Sequence, residues 1–179
     1  MFAEGVIVDL TQNYDKWKVV LAEPQERDSA VEVFNVPAES IVIRADSFPV
    51  PKEFFRGNKS ELKRADYIII TQYRGKLYSL FIEMKRGSKS EKSIVNQLKG
   101  ALCLYEYVKE VGRVFWEESN FLEEHNKLFI SLSKTSISKK PTRGQKNSKT
   151  DKYHDTPENL LKLSGYKRLQ FKSLIYKPG

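Results

Sequence analysis

The chain has 179 residues, enough for one domain with a hydrophobic core and short for two. Hydrophobic residues make up 40% and charged residues 30%, a balance that excludes wholesale disorder. The 31 Lys and Arg against 23 Asp and Glu leave a formal charge of +8, which favours anionic partners such as nucleic acid or an anionic surface.

Apolar runs such as Tyr67-Ile68-Ile69-Ile70 fall far short of the roughly 20 residues that span a bilayer. Met1-Phe2-Ala3-Glu4 shows no basic segment leading into an apolar one, so a soluble, cytoplasmic protein without a membrane partner is expected. The lone Cys103 has no partner for an internal disulfide and reads as a small core residue of a helix. His125 and His154 have no zinc-site spacing.

Taken in chain order, residues 1–55 form a β-rich part, with strands expected at Gly5 to Leu10, Trp17 to Ala22, Val31 to Val36 and Ser40 to Ala45. These would make a small antiparallel layer. Pro49 and Pro51 interrupt regular structure, and Gly57-Asn58-Lys59-Ser60 reads as a loop. A core over 61–133 follows. Its first elements are two β-branched and aromatic runs, Ala65 to Gln72 and Lys76 to Lys85, around the turn Tyr73-Arg74-Gly75-Lys76. With Arg74 and Gly75 as the loop, Tyr73 faces Lys76, and the same pairing sets Asp66 opposite Glu83. Both faces of this hairpin are apolar, so the sheet is expected to be covered on both sides. Tyr67, Tyr78 and Tyr105 read as core residues.

Ser88 and Glu91 have capping-box spacing, and Ile94, Leu98, Ala101, Leu102, Tyr105 and Val108 recur at helical intervals up to Gly112, which predicts a helix of about six turns. Lys127 to Ser133 alternates as a strand. Residues 134–156 form a basic loop in which Lys139, Lys140, Arg143, Lys146 and Lys149 are candidates for phosphate contacts. The end of the chain, 157–179, is expected to hold a short helix from Pro157 to Leu163 and a strand near Leu169 to Tyr176. The whole of 1–179 reads as a single domain.

The pairing of Asp66 with Glu83 carries the chemistry. Residues directly opposed on antiparallel strands hold their Cβ atoms about 5 Å apart, and like charges there are destabilising. Two charges ~4 Å apart near a surface repel by ~4 kcal/mol, large against marginal stability. A divalent cation removes that penalty, and carboxylate oxygens suit Mg²⁺ or Mn²⁺, which keep waters and engage phosphate oxygens. Lys85 lies two residues beyond Glu83, on the same strand face. Two acids and an amine on one face can orient or deprotonate a water and stabilise the charge of a phosphate under attack.

Ala65-Asp66, a hairpin turn and Phe81-Ile82-Glu83-Met84-Lys85 together resemble the PD-(D/E)XK nuclease superfamily, over about residues 61 to 111. The resemblance implies an α/β restriction-endonuclease-like mixed sheet flanked by helices, here with an N-terminal β-rich extension. It implies that Asp66 and Glu83 bind Mg²⁺ or Mn²⁺, that Lys85 assists the attacking water, and that Gln97 on the following helix stands near the site. The motif's proline is replaced by Ala65. A first helix that supplies another acid in many members is missing, and Glu61 is the first candidate for that acid, with Glu53 and Asp46 behind it.

A metal-dependent nuclease is therefore the expected activity, with DNA ahead of RNA as substrate and with a homodimer or a larger protein partner supplying target choice. Two alternatives stand beside it. One is a nucleic-acid-binding or assembly module that keeps the fold without turnover. The other is a protein-interaction domain in which Asp66, Glu83 and Lys85 form an ordinary surface network.

Overall fold

The computed structural model describes residues 5–22, 30–85, 90–133 and 153–176. Its centre is a hairpin of β5 (Tyr67–Tyr73) and β6 (Lys76–Lys85). Arg74 and Gly75 both take positive φ, 50° and 76°, the two-residue turn whose twist matches that of the flanking strands. Tyr73 pairs with Lys76 and Tyr67 with Ile82, the expected register.

Four further strands precede this hairpin: β1 (Thr11–Asn13), β2 (Lys16–Leu21), β3 (Val31–Val36) and β4 (Ile41–Arg44). After it come α1 (Glu91–Phe115), β7 (Asn126–Ser133), β8 (Leu161–Ser164), β9 (Arg168–Gln170) and α2 (Phe171–Leu174). The strands form two mixed sheets, one ordered β4-β5-β6-β7-β8 and the other β1-β2-β3-β9. β4–β5 and β5–β6 pair antiparallel, whereas β7 and β8 add in parallel; α1 makes the crossover from β6 to β7.

Both faces of the five-stranded sheet are buried, as the two-sided apolar pattern of the hairpin requires. On one face Ile68, Phe81 and Phe129 pack against Ile94, Leu98, Ala101, Leu104 and Tyr105 of α1. On the other, Tyr67, Ile69, Leu80, Ile82 and Ile130 meet Val19, Leu21, Val31 and Val33 of the second sheet, with Phe171 and Leu174 of α2 joining that core. The second covering layer is thus mainly a sheet where a helix was expected. The β-rich extension supplies it, because the alternate residues of β2 and β3 present an apolar face that must be buried.

Several expectations are corrected. The helix is capped by Ser90, whose Oγ accepts from the Ser93 amide at 3.3 Å, whereas Ser88, the cap expected from the sequence, lies outside the described residues; the helix runs through Gly112 to Phe115. Gly112 survives inside it because the ring of Phe121 occupies the space a Cβ would need. Cys103 points outward and is exposed. The expected helix at Pro157 to Leu163 is one 3₁₀ turn, Pro157–Asn159, followed by β8, and the expected terminal strand is β9 running into α2. In both places a sheet edge, β7 or β3, recruits a short segment that has no pattern of its own. The strand expected at Gly5 to Leu10 is reduced to an isolated bridge between Ile7 and Ile43. Tyr67, Tyr78 and Tyr105 are buried, as expected. No helix among the described residues is long and apolar enough to cross a membrane.

Candidate functional site

Asp66 immediately precedes β5, and the register places it one step beyond the Tyr67–Ile82 pair, opposite Glu83. Its backbone is held by the neighbouring strand, with the Ala45 amide donating to the Asp66 carbonyl at 2.8 Å. Its carboxylate Oδ2 accepts from the Met84 amide at 2.5 Å, so the side chain extends the ladder of the hairpin. The residues leading into Asp66 are anchored too. Arg64 Nη1 donates to the Phe48 carbonyl at 2.8 Å, and Ala65 is fully buried.

Glu83 is 0% exposed, near the C-terminal end of the largely apolar β6. Strand alternation turns it toward α1 along with Phe81, and β7 places Ser131, itself buried, directly beside it. Burying a carboxylate in such surroundings is costly unless charge or hydrogen bonds compensate, and a second carboxylate on the opposed strand raises the cost. Lys85, the last residue of β6, is half-buried and shares this face, in register with Ser133. Asp66, Glu83 and Lys85 are therefore brought together as the spacing implied.

Gln97 stands on the flank of α1, and its Nε2 donates to the Arg64 carbonyl at 3.4 Å. This bond ties the helix to the segment that carries Asp66. Glu61 is exposed and serves its own loop: Oε1 accepts from the Gly57 amide at 3.0 Å and Oε2 from the Lys59 amide at 2.8 Å. Hydrogen bonding to its own amide first, then to those of Lys59 and Gly57, holds its carboxyl below the usual range. Asp46, ranked behind Glu61 on the sequence, lies in a 3₁₀ turn, Ala45–Ser47, next to the residue whose amide bonds Asp66. Partial removal from water pushes its carboxyl up, with Arg44 pulling the other way. Lys139, Lys140, Arg143, Lys146 and Lys149 lie outside the described residues.

Among the described residues no group of three or more His, Cys, Asp or Glu side chains is assembled to hold a metal. A Mg²⁺ ion does not need such a group, since it is commonly held by one or two carboxylates, with waters and substrate phosphate completing its shell. Asp66 and Glu83 offer that donor set.

Two neighbours of Glu83 on this face escaped the sequence reading. Ser131 borders Glu83 only because β7 pairs in parallel with β6, and Lys162 is level with Ser131 on β8. The alternation of Lys127 to Ser133 put Ser131 on a known strand face, but nothing local signalled which strand it would neighbour. Lys162 fell in a segment read as helix.

A second polar cluster occupies the other end of the same face. Ser79 Oγ donates to Tyr105 Oη at 3.1 Å, Tyr105 Oη donates to the Leu122 carbonyl at 3.1 Å, and His125 Nδ1 lies 3.0 Å from Ser79 Oγ. Ser79 is 0% exposed and His125 half-buried, so the pair is a strut between β6, α1 and the segment before β7, and Ser79 is not an accessible nucleophile. Burial, ahead of the opposing bond from Ser79, raises the Tyr105 hydroxyl to about 12.

Compared with protein-family models, curated proteins and solved structures, the chain matches none.

Proposed function

We propose that this protein is a metal-dependent nuclease of the PD-(D/E)XK type that hydrolyses phosphodiester bonds, with DNA ahead of RNA as substrate. One observation carries the reading: a fully buried Glu83 stands opposite Asp66 on adjacent strands, with Lys85 one same-face step further on. An acidic pair with a lysine in phase, on a sheet covered by the following helix, is what the resemblance to that superfamily implies. The formal charge of +8 suits an anionic polymer.

In this reading Asp66 and Glu83 hold Mg²⁺ or Mn²⁺, which when bound supplies Lewis-acid stabilisation of phosphate charge. Lys85 orients the attacking water or takes up its proton and offsets negative charge developing on the phosphate. The Met84 amide fixes the carboxylate of Asp66, while Gln97 and Arg64 hold the chain that presents it.

A second reading, a nucleic-acid-binding or assembly module without turnover, is favoured by the lack of a third acidic side chain grouped with the pair among the described residues. The separating experiment is cleavage of labelled single-stranded, double-stranded and branched DNA and of RNA with Mg²⁺ or Mn²⁺. Wild type is compared with Glu83→Ala and Lys85→Ala. Metal-dependent cutting lost in both variants supports the nuclease. Salt-dependent binding without cutting under either metal moves the conclusion to the binding module, and neither binding nor cutting overturns both.

A further inference from the structure

Lys162 is the feature of this face that the proposed chemistry leaves unused. β8 pairs in parallel with β7, Lys162 falls level with Ser131, and Ser131 falls level with Glu83, so the row Asp66, Glu83, Ser131, Lys162 crosses four adjacent strands. Leu161 and Leu163 pack into the core between the sheets, which turns Lys162 to the face carrying Glu83. Its ammonium reaches Glu91 in the first turn of α1, with Nζ 2.6 Å from Oε2, and both side chains are more than half exposed.

Three physical points bear on what this lysine does. Neighbouring strands lie about 4.8 Å apart, so the Lys162 backbone is about 10 Å from that of Glu83, and with its ammonium turned to Glu91 it is set to meet a phosphate beside the one at the acidic pair. An ion pair as exposed as Lys162–Glu91 contributes little to folding, so its place beside the acidic pair is not required for stability. A phosphate arriving at Lys162 can replace Glu91 as partner, and its release of counterions adds to affinity.

We infer that Lys162 contacts the phosphate that flanks the scissile one, with Glu91 holding its ammonium in place until nucleic acid arrives. The inference rests on the nucleic-acid reading of the site. It assigns Lys85 to the chemistry and Lys162 to binding and register, which separates their kinetic effects. Loss of a contact made equally in the ground and transition states raises KM and leaves kcat unchanged.

The test combines equilibrium binding of a labelled DNA duplex in metal-free buffer, over a range of salt, with steady-state cleavage in Mn²⁺. Wild type, Lys162→Ala, Lys162→Arg and Glu91→Gln are compared. Lys162→Ala is expected to weaken binding by roughly 3- to 10-fold, to lower the slope of log affinity against log salt by about 0.9, and to raise KM at constant kcat. Lys162→Arg keeps the slope, and Glu91→Gln binds as tightly as wild type or more tightly, because it removes an acid that competes with phosphate. A structural ion pair instead makes Lys162→Ala and Glu91→Gln behave alike. If wild type binds and cuts while those two variants match each other, Lys162 is only a surface partner of Glu91 and the inference falls, leaving the nuclease reading intact. If wild type neither binds nor cuts, both fall together.

Discussion

Gly100→Ala tests the geometry that presents Asp66. In the interior of an exposed helix this change stabilises by roughly 1 kcal/mol, because alanine loses less backbone freedom than glycine. Here α1 lies directly on the segment leading into Asp66. A Cβ on Gly100 would stand 1.7 Å from the Lys63 carbonyl oxygen and 2.9 Å from its carbon. A carbon–oxygen contact needs about 3.3 Å, so helix and segment must separate by more than an ångström. The obstacle is backbone, fixed by the Lys63 amide donating to Ser60, by Arg64 donating to Phe48 and by Gln97 donating to the Arg64 carbonyl. Overpacking of this kind costs about 1–3 kcal/mol, and the overlap argues for the upper end. Subtracting the propensity gain leaves a net destabilisation of about 2 kcal/mol, a fall of roughly 4–8 °C in Tm for a chain of this size. Urea unfolding followed by circular dichroism measures it, and metal-dependent cutting is expected to fall with it as Asp66 is displaced. A Gly100→Ala variant as stable as wild type, or more stable, would refute the close approach of α1 to residues 63 and 64.

Other outcomes follow from the same structure. With Asp66 and Glu83 holding the metal as proposed, Mn²⁺ at a hundred times its Kd should stabilise the protein by about 2.7 kcal/mol, read as a rise in Tm. Glu83→Gln should abolish that rise while leaving the metal-free protein at least as stable, since it relieves the opposition to Asp66; a metal response retained by Glu83→Gln would remove Glu83 from the metal site. Acid should destabilise the fold through His154, which is buried with Nε2 2.8 Å from the Leu174 carbonyl oxygen and whose pKa is lowered by loss of water contact. The unfolded chain takes up that proton below about pH 6.5 while the folded one resists, so stability is full above that pH and is lost as pH falls toward the lowered value. His125, lowered for the same reason, adds in the same direction. Thermal unfolding from pH 8 to 5 should show the loss and His154→Gln should shrink it; a flat wild-type profile would contradict the burial.

The sequence by itself determined the hairpin and what it presents. Arg74-Gly75 defines the turn and the turn defines the register, so Asp66 falls opposite Glu83 and Lys85 follows in phase, all within a short stretch of chain. The long helix was legible for the same reason, since its apolar positions recur at one period; its cap at Ser90 was not, because the capping-box spacing of Ser88 and Glu91 pointed two residues earlier. Only the tertiary structure decided which strands lie beside the hairpin. The parallel pairing of β7 and β8 brings Ser131 and Lys162 level with Glu83 from 48 and 79 positions along the chain. No local periodicity encodes that choice. Nor did propensity indicate that Leu161–Ser164 becomes a strand, that β9 pairs with β3, or that Glu61 closes its own loop while Asp46 lies beside the backbone partner of Asp66. Those outcomes belong to the sheet edges and loop amides that a segment meets after folding, where a few hydrogen bonds and a shared apolar face override weak local preference.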